Sequence, residues 1–423
     1  MGIILRLAWR NIWRHPRRSG ITITTITFAA SLLVFIITLQ LGSYDMMIDN
    51  NLRILTGHFQ VQRTGYLDKP KIRSTIADSQ QLAKELRKIN GIVEIAARAN
   101  GFALAASEER SYGVQVIGVE TAHESNLSII PKRIQSGQFL SSDIAQEVVI
   151  GKALARNLKV KVGDELTLLG SGRDGSIAAA VLPIIGIFDS GMPEIDRSVI
   201  EMPLTTFQDI FSMGESVHVL VGLTTGLDRL ESILAQVREK IPPNISLQEG
   251  EKRLKESNKD LVVLDWNTLL PGLFQIIQAD KMNGWVMYGC LILIVTFSVL
   301  NTFLMAVLER TREFGVMLAL GTKHTFIGKL VMLESLFLTL LGLAIGLAIG
   351  IAITLYFYAY GFSYPGMKEI GAQFGLPDKI TPQLSLFSFT IGPALILIFT
   401  MIGSLYPALR IRKLKPVDAM KSV

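Results

Sequence analysis

The sequence predicts an α-helical integral membrane protein: four transmembrane helices carrying a large α+β extracytoplasmic domain made of two subdomains. Three observations predict it. Four segments, 21–41, 285–308, 330–358 and 386–406, are apolar over the length that crosses a bilayer, about 20 residues. A polar stretch, 42–284, separates the first two and is long enough for one or two compact subdomains. Lys and Arg gather on one side of the spans. The 49% hydrophobic content of the 423 residues decides little, because a soluble protein can match it.

Residues 1–18 read as a basic interfacial helix. At about 100° per residue, Arg6, Arg10, Arg14 and Arg17 share an arc of about 80°. Ile4, Leu5, Ala8 and Ile12 lie opposite, with Trp9 and Trp13 on a flank. Such a helix lies in the interface plane with Trp at headgroup level; topology signalling by charge alone is the plainer alternative. The first span, 19–41, is rich in Thr, whose hydroxyls can bond back one turn. Its apolar stretch is too long for a cleaved signal peptide, and no small-x-small site follows.

The outer domain, 42–284, mixes strands and helices. "HFQVQ" (58–62) alternates like a strand, and "DSQQLAKELRKI" (78–89) reads as a helix with Asp78 as N-cap. "GIVEIAARANGFALAA" supplies strands. The order returns in "VHVLVGL" (217–223), the helical 226–241 and "LVVLDW" (261–266), suggesting a duplicated strand–helix–strand unit. About 119–216 forms a subdomain inserted between the copies. Residues 249–260 are a charged surface excursion. "GSGRDG" (170–175) lacks the Lys-Ser/Thr of a phosphate loop and leads into a strand, so a hairpin loop is expected.

The remaining pieces are spans at 285–308, 330–358 and 386–406, a linking segment at 309–329, an outer loop at 359–385 and a tail at 407–423. Near the span ends, Arg6, Arg10, Arg14, Arg17, Arg18, Arg310, Arg312, Lys323, Lys329, Arg410, Arg412, Lys413, Lys415 and Lys421 fall on one side. Arg53, Lys281, Lys368 and Lys379 fall on the other. Fourteen against four puts both termini and 309–329 in the cytoplasm. The net charge of +6 therefore points to a membrane face, not to nucleic acid. Cys290, the single cysteine, allows no intrachain disulfide.

Enzyme chemistry is missing from the motifs. No G-x-x-x-x-G-K-[ST] occurs, so no Walker A site is expected in this chain. Five scattered histidines without H-E-x-x-H or Cys pairs argue against a metal site. No G-x-S-x-G is present, and Asp189 and Glu194 sit in turn-rich sequence as solvated loop charges. No cofactor site is expected.

"ERTREFGVMLALGT" (309–322) asks for more than a connecting loop. If the second span continues as a helix, Glu309 and Glu313 stand one turn apart, with Arg310 within reach of Glu313 and Arg312 of Glu309. The bland reading is a solvated helix end; the sharper one is a docking surface of carboxylates beside a short apolar helix. In the third span, Gly342, Gly346 and Gly350 stand one turn apart and allow close helix approach, within the protomer or across a dimer. Glu334, near the cytoplasmic end of that span, either reaches water or forms a structural ion pair; an unpaired carboxylate costs about 2.5–3.5 kcal/mol at mid-membrane.

These residues carry a resemblance. "ERTREFGVMLALGT", the tail "YPALRIRKLKPVDAMKSV", the start "LAWRNIWRHPRRSGIT", and in the outer domain "SGQFLSSDIAQEVVIGKALARNLKVKVGDELTL" and "GIFDSGMPEIDRSVIEMPL" resemble the FtsX-like, macrolide-exporter-like ABC transporter permeases over nearly the whole chain. The resemblance implies four spans, a periplasmic domain in two subdomains, the bacterial inner membrane, and a dimer with a second copy or a related permease. It also implies a separate ABC ATPase that binds ATP and Mg. Glu309, Arg310, Arg312, Glu313, Phe314, Gly315, Leu318 and Gly321 would then belong to the coupling helix on which the ATPase docks. Family members often move the outer domain instead of passing substrate through the membrane, a mechanism called mechanotransmission.

"DWNTLLPGLFQIIQADK" is most similar to the lipoprotein-releasing members, which implies a lipoprotein substrate drawn from the membrane lipid. A periplasmic partner protein is compatible with that reading. Acyl chains would then enter between spans one and two near Ile36, Leu39, Met287 and Leu291. Export of a drug, peptide or other amphiphile, and a non-transporting permease that activates a cell-wall hydrolase, are the alternatives.

Overall fold

The structure, a computed structural model, describes residues 2–227, 229–241, 261–367, 371 and 379–411. The excursion 249–260, Lys368 and the tail from Arg412 onward lie outside the described residues. In chain order the helices are α1 (Gly2–Arg14), α2 (Pro16–Asn51), α3 (Ser79–Arg87), α4 (Thr121–Leu127), α5 (Lys152–Leu158), α6 (Pro193–Ser198), α7 (Leu204–Ile210), α8 (Leu230–Lys240), α9 (Trp266–Leu269), α10 (Pro271–Glu309), α11 (Thr311–Ala319), α12 (His324–Tyr360) and α13 (Leu386–Arg410). The strands are β1 (Phe59–Arg63), β2 (Ile92–Ala106), β3 (Ser111–Val119), β4 (Ile134–Gly137), β5 (Val148–Gly151), β6 (Glu165–Ser171), β7 (Ile177–Phe188), β8 (Val199–Pro203), β9 (Val219–Thr224) and β10 (Leu261–Asp265). Two compact units result: a helical one, Met1–Asp45 with Ile276–Tyr364 and Asp378–Val423, and an α+β one, Met46–Gln275 with Pro365–Pro377.

The α+β unit is built on one sheet of ten strands, ordered β10-β1-β9-β2-β3-β8-β5-β7-β4, with β6 against β2 and β7. The two strand–helix–strand copies, β1-α3-β2 and β9-α8-β10, interleave, giving the order of a ferredoxin-like split βαβ. Their helices are amphipathic and supply Ala83, Leu86, Leu230, Ile233, Leu234 and Val237 to the core beneath the sheet. Every residue of β9 is buried, as a central strand covered on both faces requires.

Asp78 precedes α3 as expected but makes no capping bond. Its φ of 52° places it in the left-handed region, whereas a capping side chain reaches the first turn from an extended backbone.

Strands β3 to β8 are inserted between the copies and continue the same sheet. The join is β2, whose first half pairs with β9 and whose second half, Arg98 to Ala106, pairs antiparallel with β3. The "GSGRDG" stretch is the hairpin between β6 and β7, with Ser171 opposite Ile177. Its Asp174 carboxylate accepts from the Ser176 N–H at 2.9 Å, and Gly175 takes a φ of 95° that suits glycine.

One polar cluster is sealed inside this unit. The Arg98 guanidinium, on β2, donates Nε and Nη2 to the Glu124 carboxylate of α4 and Nη1 to the Leu55 carbonyl. Glu201, on β8, is fully buried, and both its carboxylate oxygens are without a hydrogen-bond partner among the described residues. Burial above all, and then the neighbouring Glu124 charge, push the Glu201 carboxyl up from its ordinary value; Arg98 opposes them.

The helical unit packs the four long apolar helices α2, α10, α12 and α13. They outrun the apolar stretches read from sequence: α2 begins at Pro16 and passes 41, ending in a π-helical turn at Leu52–Thr56, and α10 begins at Pro271. Hydropathy marks only the part immersed in hydrocarbon. Proline suits the first helical position, where its missing N–H would have had no partner. Along the core, Ile26, Ala30, Leu33, Val295, Val299, Phe303, Ile327, Val331 and Ile396 interlock.

Candidate functional site

The charged string lies at the end of the bundle where α10 stops. Arg310 leaves the helical region, with φ −99° and ψ 14°, and a new helix, α11, starts at Thr311. Glu309 and Glu313 therefore stand on different helices, not one turn apart on a continued one. Glu309 accepts from Arg18 Nη1 at 3.0 Å, and among the described residues no ion pair joins it to Arg312. Glu313 accepts from Arg310 Nε at 3.1 Å, as the spacing suggested, and lies 3.9 Å from Arg14 Nη1.

Glu334 resolves its two readings as an ion pair. Arg310 Nη1 lies 3.2 and 3.3 Å from its two carboxylate oxygens, and Asn11 Nδ2 donates to Oε1 at 2.6 Å. The residue is 5% exposed. A carboxylate so buried persists only with a hydrogen-bonded countercharge, and Arg310 supplies it in the same gesture that holds Glu313. The guanidinium also lies over the Phe314 ring, 5.2 Å from its centroid. Arg310 thus ties α10, α11 and α12 at one point, while Asn11 joins α1 to the knot.

The apolar piece after it splits by face. Phe314, Gly315 and Leu318 turn inward; Phe314 and Leu318 join the bundle core, the latter 8% exposed. Arg312, Val316 and Leu320 turn outward, and Leu320 is 82% exposed. These three positions recur every four residues, a stripe running from Arg312 on α11 to Leu320 at its C-cap, with Glu313 and Ala319 exposed beside it. Gly321 closes the helix with a φ of +92°, its N–H donating to the Leu318 carbonyl at 3.0 Å.

Deeper in the bundle, the glycine stripe packs within the protomer, against α2. A Cβ at Gly342 would lie 2.8 Å from Ile26 Cβ, one at Gly346 2.7 Å from both Ala30 Cβ and the Thr27 carbonyl oxygen, and one at Gly350 3.0 Å from Val34 Cβ. The close approach lets Thr27 Oγ1 donate to the Gly342 carbonyl at 3.1 Å.

At the other end of α2, Asp280 Oδ2 accepts from Tyr44 Oη at 2.6 Å and from Gln40 Nε2 at 3.0 Å, and Tyr288 Oη donates to Gln40 Oε1. This clasp holds α2 to α10 beside the suggested lipid opening. Ile36 and Leu291 are partly buried against the bundle core, Leu39 is half-buried, and Met287 is exposed.

Sequence reading missed Asn11, Arg14 and Arg18 as partners. Nothing local could have found them: Arg18 and Glu309 are 291 residues apart, and the arginines of α1 had an adequate explanation as lipid anchors.

Comparison with known proteins adds a second line. The family model described as MacB-like periplasmic core domain matches residues 19–241, and that described as FtsX-like permease C-terminal matches 285–416. The lipoprotein-releasing system transmembrane protein LolC of Neisseria meningitidis is 21% identical, the alignment covering 96% of each chain. The macrolide export ATP-binding/permease protein MacB of Campylobacter jejuni is 23% identical over 80% of this chain, which spans about half of that relative's length. Among solved structures, the periplasmic region of MacB from Actinobacillus actinomycetemcomitans covers 54% of this chain and 97% of its own, with 14% identity and a TM-score of 0.35.

Proposed function

This chain belongs to the FtsX-like and MacB-like permeases of ABC transporters, membrane proteins with a periplasmic core domain, and from that premise we propose that it draws lipoproteins from the inner membrane, powered by a separate ATPase. The end of the bundle that carries α1 and α11 faces the cytoplasm, in keeping with its excess of Lys and Arg. The ATPase, with its ATP and Mg, docks on the outward stripe of α11. The permease works as a dimer with a second copy or a related permease.

One observation carries the coupling part of this reading: Arg310 links the short helix α11 to the third span through Glu334. A push on α11 is thereby a push on α12, which the glycine stripe holds rigidly to α2, the helix that leads into the outer domain. Force passes along packed helices without any substrate channel, as mechanotransmission requires. The Neisseria relative, named for lipoprotein release and aligned over nearly all of both chains, supports the cargo.

Export of a drug, peptide or other amphiphile is the second reading, favoured by the relatives named for macrolide export. A signalling permease that activates a cell-wall hydrolase is the third. Photo-crosslinkers at Met287 and Leu39 in cells separate them. Capture of lipoprotein in an active complex is expected; capture of phospholipid alone in such a complex would remove lipoprotein as cargo.

A further inference from the structure

Where α1 turns into α2, a cavity of about 750 Å³ opens on the side of the bundle. Arg14, Arg17 and Arg18 line one part, Glu309 faces them from α10, and Ile21 and Met305 supply the apolar part of the wall, with Asn301 and Thr302 beside Met305 on α10. The charges do not cancel. Arg18 is spent on Glu309 at 3.0 Å, and Arg14 stands 3.9 Å from Glu313. Arg17 is exposed and has no ion-pair partner among the described residues. It sits in the first turn of α2, where unpaired backbone N–H groups add to the positive potential.

The apolar wall is as telling as the cations. Ile21 is 67% exposed and Met305 56%; Ile21 lies one turn along α2 from Arg17 and Arg18, and Met305 one turn before Glu309 on α10. Trp9 and Trp13 are exposed on the adjoining α1, the side chains that favour headgroup depth. A small anion would use the guanidiniums and leave the wall wet. A molecule with an anionic head and alkyl chains uses both.

We propose that this cavity holds one anionic phospholipid, its phosphate at Arg17 and Arg14 and its acyl chains along Ile21 and Met305. The binding depends on neither cargo nor ATPase. Its assignment to the cytoplasmic leaflet rests on the orientation given above. A bound lipid here would brace the joint between α1 and α2, beside the Arg18–Glu309 pair.

The test uses the whole permease in nanodiscs of phosphatidylcholine with a minor share of phosphatidylglycerol, followed by mild delipidation and native mass spectrometry. Phosphatidylglycerol should be retained in preference to phosphatidylcholine. Arg17→Gln should reduce that preference about fivefold, the effect of about one basic residue at an anionic surface. Arg10→Gln, exposed on α1 away from the cavity wall, should leave it unchanged. Equal retention of the two lipids would overturn the proposal. So would equal losses in the two variants, which would reduce the effect to diffuse surface charge. Glycerol phosphate, which has the head without the chains, should give no comparable retention or stabilisation; if it does, the ligand is not a lipid.

Discussion

Arg310 and Glu334 meet at the junction of three helices, one guanidinium nitrogen 3.2 and 3.3 Å from the two carboxylate oxygens, both residues buried. Removing one partner strands the other. Arg310→Ala or Glu334→Ala should each cost about 3–5 kcal/mol, whereas the joint change to Met and Leu should recover most of the stability. Thermal unfolding in detergent measures both. The recovered double variant should still hydrolyse ATP with its partner but release cargo poorly, because an apolar contact slides where the ion pair held. Normal release by the double variant would detach coupling from this pair.

The two faces of α11 should respond differently to one substitution. Leu320→Asp and Val316→Asp change exposed positions and should alter stability by no more than about 0.5 kcal/mol. They should nevertheless lower copurification of the ATPase, since a buried unpaired charge at an interface is costly. Leu318→Asp places the charge in the bundle core and should abolish the folded permease. Charge reversal at Glu309 or Glu313 separates these effects less cleanly, because each residue also holds an arginine of α1 or α2. Full ATPase recovery with Leu320→Asp and Val316→Asp would exclude the outward stripe as the docking face.

The glycine stripe gives a third prediction. Gly346→Val must push Ala30 and the Thr27 carbonyl away, a backbone neighbour that cannot step aside. Overpacking of this kind costs about 1–3 kcal/mol. Gly289→Val on α10, where a Cβ meets nothing within 4 Å, is the control and should be nearly neutral. Equal denaturation midpoints for the two variants would mean that α2 and α12 are not held by this contact.

Glu201 makes stability depend on pH. Its folded carboxyl is raised above the unfolded value, so its neutral form contributes fully below the ordinary value of 4.5. That contribution is lost as pH rises through the elevated folded value. Each unit of elevation is worth about 1.4 kcal/mol. Glu201→Gln should therefore raise the unfolding temperature at neutral and mildly alkaline pH and leave it unchanged in acid. A gain of the same size at every pH would assign the effect to packing.

How much of this was readable beforehand follows from the range of each interaction. The four spans were legible because a bilayer demands some 20 apolar residues in a row, a local property of the chain. Two strand–helix–strand units were legible from periodicity. Their interleaving was not, since placing β9 between β1 and β2 depends on contacts across more than a hundred residues. The spacing of Gly342, Gly346 and Gly350 announced close packing but left the partner open; Ile26, Ala30 and Val34 are over 300 residues away. The charged string drew attention for its composition, yet its geometry depended on a helix break at Arg310 that no Gly or Pro marks. The inward turn of Leu318 follows from that break.

The long strand β2 has a mechanical consequence. It is the edge of one half of the outer domain and the spine of the other, with nine positions paired to β3. The two halves therefore have no hinge between them, and neither can be swung open by a flexible linker. A load applied to the inserted half arrives as shear along an antiparallel ladder whose bonds must yield together. Such a domain answers a load as a single blade: the strain is shared along the whole ladder and no one residue has to act as a joint.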